Sequence, residues 1–135
     1  MSKVIYELDG ARFSTLEEFN NEVSRVLIPG VSWGRNLNAF NDILRGGFGT
    51  PEGGFVIRWL NSAVSRERLG YPETVRHLEQ LLRRCHPSSR AGFAADLELA
   101  KQGRGESIFE WLLAIIAVHG RGGAEERDGV ELILE

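Results

Sequence analysis

WGRNLNAFNDIL, residues Trp33 to Leu44, runs through a glycine and an asparagine into a short helix with two unlike sides. Leu37, Phe40, Ile43 and Leu44 share one side of a 3.6-residue period, which predicts a buried face. Asn38 and Asp42, four residues apart, stack on the other side, with Asn41 and Arg45 as neighbours and Trp33 just before the helix. That polar side is a candidate binding face.

Upstream, Lys3 to Leu8 alternates and is rich in β-branched and aromatic residues; it ends at the turn pair Asp9 and Gly10 and predicts a first strand. Ser14 and Glu17 have the spacing of a capping box for a helix with apolar positions Leu16, Phe19, Val23, Val26 and Leu27, which Pro29 and Gly30 end. Downstream, Gly46, Gly47, Gly49 and Pro51 break the helix at Leu44. Phe55 to Leu60 has the short apolar character of a strand paired inside a sheet, with Arg58 its one charge.

The segment after Gly70 predicts a helix with Pro72 in its first turn and Val75, Leu78, Leu81, Leu82 and Cys85 on one face, closed by His86 and Pro87. Ser88 or Ser89 can cap a further helix with apolar positions Phe93, Leu97 and Ala100, stopped at Gly103. Ile108 to Val118 is apolar almost all round and predicts a helix buried on more than one side. The loop from Arg121 to Asp128 has little to bury and is expected to be mobile, and Val130 to Leu134 alternates as a last strand. Strands separated by helices favour parallel pairing. The expected class is therefore α/β, a small three-stranded, mostly parallel sheet packed with about five helices.

A chain of 135 residues fits a single domain, 1–135, with a core that needs no disulfide or metal. Its one cysteine excludes an internal disulfide. No apolar run approaches the roughly 18 residues of a membrane span, and no basic-then-apolar start reads as a signal, so a cytoplasmic, reduced setting is expected. The net charge of -3 is uneven: residues 61–105 hold eight basic and five acidic side chains, residues 106–135 two and seven. Cys85 and His86 are adjacent and His77 lies eight residues earlier, but Cys85 falls on an apolar stripe and no paired Cys-x-x-Cys accompanies them. Glycines are plentiful without phosphate-loop or dinucleotide spacing. No enzyme, cofactor or metal site is expected.

The order aromatic, glycine, any residue, asparagine, leucine, any residue, alanine, with an acidic residue late in the helix, resembles the barstar family of intracellular ribonuclease inhibitors. The resemblance covers about the first sixty residues and the last seven, GVELILE, and residues 61–105 resemble the helical insert of a longer branch of the family. It implies that Asp42 enters the active site of a barnase-type ribonuclease in the space of substrate phosphate. It implies too that Trp33 stands where the family sets an aromatic against the enzyme. Asn38 occupies the position of a second family carboxylate, and Ser32 lacks a second ring. The expected partner is an extracellular-type bacterial ribonuclease or another toxin with a cationic active site.

Such a site is lined with cations arranged for phosphate, so a rigid carboxylate on a helix can meet donors already in place. Trp33, Gly34, Asn36, Asn38, Asn41, Asp42 and Arg45 make up the expected contact surface. Each has a plainer role open to it. Asp42 and Arg45 are three apart and can form an ordinary surface pair, Trp33 can cover a turn, and Asn36 can cap the helix. Arg35 and Arg45 also soften the negative potential around Asp42. Nothing is carried over to the end of the last long helix, which reads Val118, His119, Gly120. A competing reading is RNA binding through Arg66, Arg68, Arg76, Arg83, Arg84 and Arg90, although Glu67, Glu73 and Glu79 are interleaved with them.

Overall fold

The most apolar strand lies at the centre. In a computed structural model that describes residues 3–46 and 48–135, β2 (Val56–Leu60) pairs in parallel with β1 (Ile5–Asp9) on one side and β3 (Glu131–Leu134) on the other. All three strands are parallel, in the order β1-β2-β3. Gly54 and Gly129 let the starts of β2 and β3 approach. Gly54 has φ +106°, and a Cβ there would collide with the Gly129 carbonyl.

The register places Tyr6, Ile57 and Leu132 side by side, then Leu8, Trp59 and Leu134. Leu8, Ile57 and Trp59 are fully buried in the core, and Tyr6 and Leu132 pack against it. The other face carries Ile5, Val56 and Glu131 side by side, then Glu7, Arg58 and Ile133, so Arg58 is the one charge of the central strand. Its guanidinium reaches Glu7 at 2.8 Å and Glu135 at 2.6 Å, which is why a charge is tolerated in the central strand.

Among the described residues six α-helices connect the strands: α1 (Leu16–Val26) and α2 (Leu37–Leu44) between β1 and β2, then α3 (Ser62–Arg68), α4 (Tyr71–Arg84), α5 (Arg90–Lys101) and α6 (Ile108–Val118) between β2 and β3. Phe19, Val23, Phe40, Ile43, Phe109 and Ile116 bring α1, α2 and α6 into one core with the sheet. Phe19 stands at its centre, 5.4 Å from Phe13, 5.3 Å from Phe40 and 5.6 Å from Trp59 between ring centroids.

Local details depart from the sequence reading in four places. The first helix is capped one residue later than Ser14 and Glu17: Thr15 Oγ1 accepts from Glu18 N, and Glu18 Oε1 accepts from Ser14 N. Glu17 is instead drawn to Arg76. Helix α3 was not foreseen, because SAVSRER has no clear apolar period; it is held by Ser65, whose Oγ accepts from the indole of Trp59 at 2.9 Å. Neither Ser88 nor Ser89 caps α5 through its side chain, and Pro87–Ser89 form a 3-10 turn instead. Helix α6 is capped by Ser107 and Glu110 in a full capping box, and it leaves Ala114, Ala117 and Val118 exposed. Of the glycines expected to end α2, Gly46 comes just after the Arg45 cap, at φ +93°, and Gly47 lies outside the described residues.

Buried polar contacts fasten α4 to the rest. Glu73, 6% exposed, accepts the backbone N–H of Leu16 at 2.9 Å and pairs with Arg76, which also reaches Glu17. Thr74 is fully buried and its Oγ1 accepts the N–H of Ile108 at 2.9 Å. Thr74→Val keeps the shape but orphans that buried donor. It is expected to cost about 1–3 kcal/mol in urea denaturation, with the far-ultraviolet circular dichroism of the native protein unchanged.

Candidate functional site

Helix α2 starts at Asn36, whose Oδ1 accepts from Ala39 N at 2.8 Å. Arg35 enters that turn in the left-handed region, at φ 51°, a conformation that costs an arginine of order 1 kcal/mol. Two asparagines of α1 hold it there. Asn20 donates to the Arg35 carbonyl at 3.0 Å, and the Arg35 guanidinium donates to Asn21 Oδ1 at 2.6 Å. The charge of Arg35 is thereby drawn toward α1 and away from Asp42.

The apolar positions lie as their spacing requires. Phe40, Ile43 and Leu44 are buried, and Leu37 packs against the core. On the outer side Asn38 and Asp42 are exposed and Asn41 is half-buried. Trp33 is half-buried against the core and its indole N–H donates to Ser24 Oγ, so it covers the α1–α2 turn while one part of the ring stays accessible. Gly34 is exposed, and a Cβ there would lie 3.2 Å from the Asn36 amide.

The C-terminal half of α2 meets a part of the chain that the sequence did not link to it. Arg45 binds both oxygens of Glu125 at 2.8 Å each, and its remaining nitrogen reaches Asp42 Oδ1 at 3.2 Å. Asn41 Oδ1 lies 2.6 Å from Nε2 of His119, a residue with no solvent exposure at the end of α6. On its other side His119 Nδ1 lies 2.7 Å from Asp128 and 3.3 Å from Glu125. Arg45 thus contacts two carboxylates, Asp42 and Glu125, and a third, Asp128, lies near enough to act on its charge, so carboxylates outnumber the guanidinium here.

His119, Glu125 and Asp128 are the one group among the described residues whose donor atoms fall within 4.8 Å, close enough to hold a metal ion. Each is already engaged: His119 with Asn41 and both carboxylates, Glu125 bidentately with Arg45. The arrangement is accounted for as a hydrogen-bond network. It also ties down the loop that was expected to be mobile, since Glu125 N donates to the Val118 carbonyl at 2.8 Å.

The sequence pattern of one protein family, described as Barstar (barnase inhibitor), matches residues 4–98. This chain belongs to the barstar family. No curated protein and no solved structure matches it. The family match runs from β1 through α2 and β2 and on into α5, so it takes in the first sixty residues and most of 61–105, and it stops short of α6 and of the last seven residues, where the likeness was also read. In this barstar-family chain Glu125, Asp128 and His119 were missed by sequence reasoning. The one signal was the acidic excess of residues 106–135, which gave no direction in space.

The hydrogen bond from Arg45 holds the Glu125 carboxyl below its ordinary value of 4.5. Glu17 and Glu22 are held below the same value, because Arg76 and Arg25 outweigh the opposing effect of burial. A carboxylate lowered in the folded state stabilises fully above its unfolded value and loses that contribution as pH falls through the lowered one. The urea midpoint should therefore stay level down to about pH 5 and fall below about pH 4. In Arg45→Gln, the Glu125 titration followed by NMR should move back up toward 4.5.

Proposed function

We propose that this chain is an immunity-type inhibitor that binds a ribonuclease, or another toxin with a cationic active site, and blocks that site with the outer face of α2. The carrying observation is Asp42: its side chain is 54% exposed on a helix whose opposite face is anchored in the core by Phe40, Ile43 and Leu44, so the carboxylate is presented from a rigid element. Glu125 and Asp128 reinforce its sign. Membership of a family described by barnase inhibition supports the same reading. An extracellular-type bacterial ribonuclease is the partner class that fits.

Asp42 supplies the anion, Asn38 a neutral hydrogen-bonding group, and Trp33 an apolar edge beside them. Arg45 and Asn41 act mainly within the protein, the first holding Asp42 and Glu125 together and the second contacting His119. Asn36 caps the helix and Gly34 precedes it, so both shape the surface. We take residues 1–135 as one barstar-like domain with 61–105 as its helical insert, noncatalytic and acting in the cytoplasm. No described helix is long and apolar enough to cross a membrane.

RNA binding through the insert has less support. Arg66 lies over the Phe109 ring at 4.7 Å, and Arg68 donates to the carbonyl of Ala11. Arg76 is paired with two glutamates, and Arg83 and Arg90 donate to carbonyls of α4. Those arginines are occupied in holding the fold, which leaves few for phosphates.

The test is inhibition of a panel of purified bacterial ribonucleases by the wild type and by Asp42→Ala. Asp42→Ala should weaken inhibition by at least about thirtyfold, the effect of losing a contact worth roughly 2 kcal/mol, while Tm stays nearly constant. A large loss of Tm with inhibition retained would make Asp42 structural. Association should slow as salt rises. Asn38→Asp, which restores the family's second carboxylate, should tighten binding to a barnase-type enzyme.

A further inference from the structure

Beside the N-terminal end of α2 the insert closes a cleft of about 500 Å³. Leu16 of α1 and Leu37 of α2 form one wall, and Leu81 of α4 and Phe93 of α5 the other. A cleft of this size with apolar walls and a few polar groups has the make-up of a binding site. Asn38, the residue standing where the family has a carboxylate, lies on its lining.

The charges on the lining are one-sided. Glu17 is the one carboxylate among the residues that line the cleft, and Arg76 takes it up at 2.6 Å. With its amide turned to suit both neighbours, Gln80 also bridges Glu17 and Arg76. Arg84 lines the cleft and has no hydrogen-bond or ion-pair partner among the described residues. Arg35, on the opposite rim, donates to a neutral amide oxygen, which leaves its positive charge uncompensated. His77 also lines the cleft, and burial lowers its pKa, so the imidazole is a neutral donor or acceptor there. The cleft therefore joins apolar walls to two uncompensated cations, while the neighbouring end of α2 is negative.

We propose that this cleft binds an acidic peptide segment of a partner protein, an apolar side chain seated between the two walls and a carboxylate against Arg84. Asn38 and His77 suit the peptide backbone, because each can hydrogen-bond without a charge of its own. Two guanidiniums suffice for one or two carboxylates, whereas a nucleic acid draws its affinity from many phosphate contacts. The inference goes beyond the inhibitor reading and holds whether or not the partner is a ribonuclease. On a ribonuclease it adds a second contact surface, one that belongs to the insert.

The experiment is an amide NMR titration of the full chain with three probes: a capped Gly-Phe-Asp-Glu-Gly peptide, the same peptide with lysines for its acids, and a five-nucleotide oligouridylate. The acidic peptide should give saturable shifts at Leu37, Asn38, Leu81 and Phe93. Arg84→Glu should weaken it by about fivefold or more, with Tm unchanged, and Asn38→Asp should weaken it too. Absence of saturable shifts, equal binding of the lysine peptide, or a response to the oligouridylate alone would overturn the proposal. The two readings fail separately. Ribonuclease inhibition that depends on Asp42, with no peptide bound, sinks the cleft alone, and peptide binding without inhibition of any ribonuclease sinks the inhibitor reading alone.

Discussion

A buried carboxylate that caps another element's backbone joins the two halves of this protein. Glu73 belongs to α4, yet it accepts the N–H of Leu16, the first residue of α1. An ion at 6% exposure is costly unless it is paired and hydrogen-bonded, and here Arg76 and the Leu16 amide supply three donors. The consequence is geometric. Helix α4 lies across the start of α1, Arg76 and Gln80 gather Glu17, and the cleft walls are held face to face. The Thr74 bond to Ile108 does the same toward α6.

The second constraint runs through His119. It is buried at the junction of α6 and the loop leading to β3, and its two ring nitrogens face Asn41 of α2 on one side and Asp128 on the other. Position along the chain separates these groups widely, but parallel pairing of β3 with β2 brings the acidic tail back beside α2. The charge on the outer surface of α2 is thus composed by the topology: one carboxylate comes from the helix and two from the tail.

Much of the fold was legible because it rests on local periodicity. The alternation at Lys3–Leu8, the apolar run at Phe55–Leu60 and the spacing of Leu37, Phe40, Ile43 and Leu44 each report a buried face directly. The capping assignment slipped because Ser14-x-x-Glu17 and Thr15-x-x-Glu18 overlap, and what separates them is tertiary: Arg76 draws Glu17 away. Helix α3 escaped notice because its anchors are tertiary: the bond from Trp59 to Ser65, Arg66 over the Phe109 ring and Arg68 on the Ala11 carbonyl. The candidate site was half visible. Asp42 and Asn38 follow from helical spacing, whereas Glu125 and the cleft lining come from segments far apart in sequence, and no periodicity connects them. Asn36 and Arg45 show the limit in another way, since both lie within the readable motif and the contacts decide that one caps and the other pairs.

Arg45 raises the question of how a carboxylate already paired can serve an incoming cation. The geometry ranks its two bonds. The pair with Glu125 is bidentate, 2.8 Å on both oxygens, while Asp42 is touched once, at 3.2 Å, by a nitrogen left over from that fork. Exposed single contacts of this kind are weak and screened by salt. On the proposed reading, a partner's arginine approaching Asp42 would compete with the weaker of the two interactions and leave the stronger intact. Glu125 also offsets what Arg45 would subtract from the local field, because the guanidinium is bound to it on both oxygens. An arginine three residues after the acidic position, which on sequence grounds weakens a cation-seeking surface, becomes compatible with it once Glu125 arrives from the tail.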